Sequence, residues 1–163
     1  LSILFVSKGS NHKMSESVYQ VLLIDDDEDD YIVTQDLLQG AEQAVCLWSL
    51  EVIETLMREG HPIAPGNAGE NVTIAGLDWP LVIPGVHLQL GNDVVIEIAS
   101  YAAPCRKNMC WFTDKRYSRI SQKHYPGSSR VYARVLQPGI IRQDDLVKIA
   151  DSPTPAAFAT NRN

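Results

Sequence analysis

The chain has 163 residues, 45% of them hydrophobic, enough for one domain with a real core. Its net charge of −6 disfavours general nucleic-acid binding, and no apolar run reaches the ~18 residues that cross a membrane. Three cysteines, an odd number, argue against a disulfide framework and point to a reducing cytoplasm.

In chain order, Leu1–Val6 is an apolar strand candidate closed by a turn-like Ser7–Asn11. It is short and lacks a basic region before it, so it reads as a strand and not as a signal peptide. The first residue is Leu and not Met, so a natural start upstream is one expectation. Val18–Ile24 is β-branched and apolar and ends in acids from Asp25 to Asp30. Tyr31, Val33, Thr34, Leu37 and Leu38 then follow a helical spacing that Gly40 can end.

Ala44–Trp48 is a strand, and Ser49 is placed to cap a helix over Leu50–Glu59 with apolar Val52, Ile53, Leu56 and Met57. Gly60, Pro62 and Pro65 stop it. From Gly66 onward the pattern is β. Asn71–Ala75 comes first, then Trp79–Pro84, then Val86–Leu90 and Val94–Ala99 joined by a hairpin at Gly91-Asn92-Asp93. Residues 106–123 are basic and loosely helical. Arg130–Leu136 alternates, Pro138-Gly139 turns, and Leu146–Ile149 closes a domain spanning 1–150, leaving a tail over 151–163 expected to be disordered. Many short strands between Gly and Pro turns predict a mainly β barrel or sandwich.

Charge is unevenly spread. Residues 14–42 carry nine acids and no Lys or Arg, whereas residues 103–134 carry eight bases against Asp114 alone. The basic stretch suits one anionic ligand or, equally, a solvated face. Within it Cys105 has Arg106 and Lys107 as immediate neighbours. Nearby cations favour the thiolate, the nucleophilic and metal-binding form of the side chain, and soft sulfur suits molybdenum or a persulfide. A buried structural cysteine is the alternative. Cys110 is a possible resolving thiol or second ligand, and Cys46 reads as core. Arg130 and Arg134 are four apart on an alternating strand and are expected on one face, where their forks would take a phosphate. The Gly66–Asn71 loop can offer backbone N–H groups to an anion. His61, His87 and His124 form no hydrolase triad.

Four segments, Gly69–Trp79, Pro84–Gly91, Tyr101–Cys105 and Tyr132–Gly139, together resemble the MOSC family in order and spacing, and Ala44–Ile53 is similar to the stretch that precedes them there. The resemblance, over about residues 40–150, implies a MOSC-type β-barrel with a few peripheral helices. It implies a role in binding molybdenum cofactor (molybdopterin) or carrying its sulfur. The family's signature cysteine falls on Cys105, as catalytic residue and molybdenum ligand. Glu70 and Asn71 would border the pocket; Arg106, Arg130 and Arg134, singled out by position and charge, are the further cofactor-binding candidates. As an enzyme, such a protein would be a sulfur transferase or a molybdenum-dependent reductase of N-hydroxylated compounds. Its partners would be a sulfur donor protein or the anionic pterin, and for the reductase an electron-transfer protein. Pyridoxal phosphate binding is a further expectation of the resemblance. Where MOSC proteins show His-Gly-Gly and an Arg, this chain has Leu38-Gln39-Gly40 and Gln43.

Met14–Tyr31 resembles a different family, the receiver domains of response regulators, whose first strand and acidic pocket it matches. That resemblance implies magnesium at Asp25 and Asp26, a strand-then-helix segment over 14–39, Asp78 as the nearby phosphoacceptor candidate, and a signalling or interaction module, or else an inactive hybrid.

Overall fold

The computed structural model describes residues 19–23, 30–33 and 45–150. In chain order its strands are β1 (Tyr19–Leu23), β2 (Asp30–Val33), β3 (Val45–Ser49), β4 (Val72–Ala75), β5 (His87–Leu90), β6 (Val94–Tyr101), β7 (Val131–Gln137), β8 (Gly139–Arg142) and β9 (Leu146–Ala150). The helix α1 (Leu50–Arg58) lies between β3 and β4. Seven strands close a barrel in the order β1-β4-β3-β7-β6-β5-β9, and β9 returns to β1. Strands β2 and β8 form a separate antiparallel ribbon.

Only β3 and β4 pair in parallel among the described strands; the other junctions are antiparallel. Parallel neighbours need a crossover, and α1 supplies it. Ser49 ends β3 and caps the helix, its Oγ accepting the Val52 N–H at 3.3 Å. Ile53 and Leu56 are fully buried, each worth roughly 1.5–3 kcal/mol. Gly60 ends this element at φ +87°, a left-handed conformation in which a side chain would be strained.

Strand β3 is buried on both faces. Register pairs Val45 with Ala133 and Leu47 with Val131, so these four side chains share the barrel interior with Ile96, Ile98 and Val135. Cys46 pairs with Tyr132 and therefore faces outward, yet it is only 4% exposed because the 66–71 loop and Arg130 pack over it. The hairpin of β5 and β6 follows its alternation, with Leu88 and Leu90 inside and a turn at Gly91, φ +60°.

Four expectations are corrected. Residues 31–33, read as helix, lie in β2, whose ladder runs from Asp30–Arg142 to Val33–Gly139; the rest of that expected helix, 34–38, lies outside the described residues. β1 runs antiparallel to both of its neighbours, whereas a receiver's first strand belongs to a parallel sheet and leads into a helix. The receiver reading therefore fails, and its acids Asp25 and Asp26 fall outside the described residues. Asp78 is exposed in the turn before a 3₁₀ helix, Trp79–Leu81, that replaces the start of the Trp79–Pro84 segment. Residues 106–123 hold two 3₁₀ helices, Arg106–Trp111 and Tyr117–Ile120. Gly139 opens β8, lying so close to β6 that a Cβ there would come 2.9 Å from Asp93 Cβ and 3.0 Å from Val94 Cγ2. Residues 1–6 and 151–163 also lie outside the described residues.

Candidate functional site

Strand β6 delivers the chain through Ala102–Pro104 to Cys105, which precedes the 3₁₀ helix Arg106–Trp111. Cys105 is exposed and is a free thiol. Its backbone is held in two ways. Its carbonyl accepts the Asn108 N–H at 3.0 Å, and its own N–H donates to Asn108 Oδ1 at 3.1 Å. Asn108 is itself only 4% exposed. From there the network runs inward: Asn108 Nδ2 donates to the Ala68 carbonyl at 3.1 Å. Arg130 Nη1 donates to that same carbonyl, and Arg130 Nη2 reaches Asn108 Oδ1 at 3.4 Å. The Cys105 turn, the 66–71 loop and the start of β7 are thus tied at one point, on the outside of the barrel near its rim.

The loop is built around Glu70. Gly66 N–H donates to Glu70 Oε1 at 2.7 Å, while Asn67 and Gly69 N–H groups close turns onto Ala64 and Gly66 carbonyls. Three of the N–H groups expected for an anion are therefore spent within the loop. Burial pushes the Glu70 carboxyl up, opposed by backbone N–H donors of the loop and by the charge of Arg130. Glu70 Oε2 and Arg130 Nε are buried with no hydrogen-bond partner. Asn71 clasps the neighbouring strand: its Oδ1 accepts the Cys46 N–H at 2.9 Å and its N–H donates to the Cys46 carbonyl at 2.8 Å. Its side-chain oxygen is thus committed to the scaffold. Burial raises the Cys46 thiol to about 11, against the lowering influence of Arg130, so this sulfur stays protonated and inert at neutral pH.

Arg106 and Lys107 are exposed and join no ion pair among the described residues. Arg134 is elsewhere. It is exposed on β7 and forks onto Glu97 at 3.0 and 2.7 Å, holding that carboxyl below the usual range. Arg130 and Arg134 both lie outside the barrel but do not converge on one ligand: Arg130 precedes β7 and is 5% exposed, bound to Ala68 and Asn108, whereas Arg134 is taken by Glu97.

A profile described as MOSC domain matches residues 34–148. The chain belongs to the MOSC domain family. That family is associated with molybdenum cofactor sulfurase-like proteins. Among solved structures, YiiM from Geobacillus stearothermophilus is 27% identical with a TM-score of 0.61, over 75% of this chain and 60% of that one. The MOSC chain thus spans 60% of that protein's length. YiiM from Escherichia coli is 23% identical with a TM-score of 0.65, over 83% and 71%, a likeness of fold. A search of curated proteins found no match.

Of the residues singled out in the sequence, the MOSC fold gathers Cys105, Arg106, Glu70, Asn71 and Arg130 and leaves Arg134 apart. Sequence reasoning missed Asn108 and Ala68, whose roles arise only from tertiary contact. It also missed Arg119, which forks onto Glu59 at 3.1 and 2.7 Å and lies 4.6 Å over the Tyr125 ring. A groove of about 370 Å³ lined by Ser49, Thr55, Asp78, Trp79 and Arg119 lies elsewhere and includes none of the Cys105 network. Cys110 is exposed and its thiol donates to the Lys107 carbonyl at 3.3 Å. Five residues along a 3₁₀ helix separate it from Cys105 by roughly 10 Å, beyond the Cα separation a disulfide spans. Among the described residues no helix is long and apolar enough to cross a membrane, and no three His, Cys, Asp or Glu side chains gather to hold a metal.

Proposed function

We propose that this MOSC domain binds molybdenum cofactor or carries its sulfur through Cys105. The observation that carries the reading is the exposed thiol at the barrel rim, held by its own backbone in a turn that Asn108, Ala68 and Arg130 lock together. A thiolate is the soft ligand that molybdenum or sulfane sulfur takes. It is the one exposed sulfur in this network, and the cofactor would bring further ligands of its own. At the anionic end, Arg106 and Lys107 have the exposure to meet a phosphate. Arg130 spends its Nη donors on Ala68 and Asn108 and contributes positive charge from beneath. Glu70 supports the loop from inside, and Asn71 fixes it to β3.

Two activities suit this arrangement. A sulfur transferase needs Cys105 to receive sulfane sulfur from a donor protein and hand it on. A reductase of N-hydroxylated compounds needs an electron-donating protein partner, and the bound cofactor supplies the redox chemistry. Exposed free thiols suit a reducing cytoplasm. Pyridoxal phosphate binding rests on the resemblance alone.

The test is molybdenum by elemental analysis and cyanide-releasable sulfur, in the parent and in Cys105→Ser. Molybdenum lost with the substitution marks the cofactor binder, and lost sulfur marks the carrier. Unchanged content of both in Cys105→Ser removes the reading and leaves a folded domain without this chemistry.

A further inference from the structure

The side chain with the most connections around Cys105 is one that the sequence did not mark. Asn108 is 4% exposed and uses both ends of its amide. Its oxygen takes the Cys105 N–H at 3.1 Å and an Arg130 N–H at 3.4 Å, and its nitrogen gives a hydrogen to the Ala68 carbonyl at 3.1 Å. The orientation of the amide follows from its partners, since two donors face one end and a carbonyl faces the other. Few side chains meet all three demands at this length. Asp lacks the donor for Ala68, Ser is too short to span the gap, and Leu and Ala satisfy none of them.

We propose that Asn108 is a positioning residue that holds Cys105 in the positive field of Arg106, Lys107 and Arg130. This rests on Cys105 as the reactive sulfur of the domain. The mechanism is indirect. Cys105 follows Pro104 in an extended conformation, φ −114° and ψ 165°, on an exposed turn with no strand partner of its own. The bond from its N–H to Asn108 Oδ1 fixes that backbone. Because Asn108 is in turn bound to Ala68 and Arg130, the turn keeps one orientation toward the 66–71 loop and toward the guanidinium. Without the amide, the Asn108 N–H bond to the Cys105 carbonyl still closes the first 3₁₀ turn and the Ala102 N–H still donates to the Arg130 carbonyl at 2.8 Å, but no side chain ties the turn to the Arg130 guanidinium. The thiol then samples orientations closer to bulk solvent.

The test reads the field at the sulfur and does not depend on whether sulfur or molybdenum is loaded. In a Cys110→Ser background Cys105 is the one exposed thiol among the described residues. Its second-order alkylation rates are measured with iodoacetate, an anion, and with iodoacetamide, its neutral analogue. The ratio of the two rates, referred to free cysteine, reports local positive potential. Asn108→Ala is expected to lower that ratio about threefold, the effect of one cation about 6 Å away at water-like screening. A ratio unchanged in Asn108→Ala, even with a lower unfolding midpoint, makes Asn108 an ordinary structural residue and overturns the proposal. Should Asn108→Ala not fold, amide exchange by NMR in the unsubstituted chain decides. The Cys105 N–H belongs to an exposed residue, so slow exchange requires the Asn108 bond; exchange at the rate of an unstructured peptide overturns the proposal.

Discussion

Replacing Arg130 by Met tests the physics of the buried network most directly. The guanidinium is 5% exposed and donates to Ala68 O and Asn108 Oδ1. Hydrogen bonds from a charged donor are worth about 1.5–3 kcal/mol, and Met fills most of the volume without replacing them. The substitution also removes the positive charge that opposes the effect of burial on Glu70. Removing one partner from a buried charged network costs about 3–5 kcal/mol, so a loss of about 3 kcal/mol is expected. The loss must depend on pH. Burial raises the Glu70 carboxyl, so the folded protein holds this proton more tightly than the unfolded chain. The stability tied to that proton is fully present below the unfolded value and is lost as pH rises through the folded one. Without Arg130 the folded value moves further up, so the gap between Arg130→Met and the parent widens from pH 5 to pH 8. Urea unfolding followed by tryptophan fluorescence measures it, with Trp48 and Trp79 buried as reporters. Adding Glu70→Gln to Arg130→Met should return about 1 kcal/mol and abolish the widening, since the uncompensated carboxylate is gone. A gap that is the same at both pH values and indifferent to Glu70→Gln would refute the reasoning.

Three further outcomes are expected. Native protein should show Cys105 and Cys110 reacting quickly with a disulfide reagent at pH 8, while Cys46, raised to about 11 and 4% exposed, reacts only after denaturant is added. Gly139→Ala should destabilise by about 1–3 kcal/mol, because its Cβ would press on Asp93 Cβ at 2.9 Å; calorimetry reads this as a lower unfolding midpoint. Arg134→Ala should leave the alkylation ratio of Cys105 unchanged and cost about 0–1 kcal/mol in urea unfolding, since its pair with Glu97 is surface-exposed.

Local pattern carried much of the fold. Ser49 announced α1, the alternation of residues 86–90 and 94–99 around Gly91 announced the β5–β6 hairpin, and Arg130–Leu136 announced β7. The failures have a common cause. Tyr31 and Val33 occupy spacings that a helix also uses, and their pairing with Ile141 and Gly139, more than a hundred residues on, made them a strand. Pro138-Gly139 looked like a turn by composition, whereas Gly139 is small because β8 lies against Asp93 and Val94. For the site, chemistry and family pattern pointed to Cys105 and Arg130. The burial of Arg130 against Ala68, the pairing of Arg134 with Glu97 and the bridging amide of Asn108 depend on contacts between distant segments that no local spacing encodes.

Among the described residues the barrel shuts through two registered pairs, Tyr19 with Val147 and Gln20 with Leu146, whereas β1 and β4 are registered over Gln20–Leu23. A seam held by these pairs alone would be where the cylinder unzips first under heat or denaturant, before β6 and β7 part. Opening there would bare two unsatisfied strand edges at once, each able to recruit another chain. Shelf life in concentrated solution would then be governed by this narrow clasp, and not by the exposed thiols.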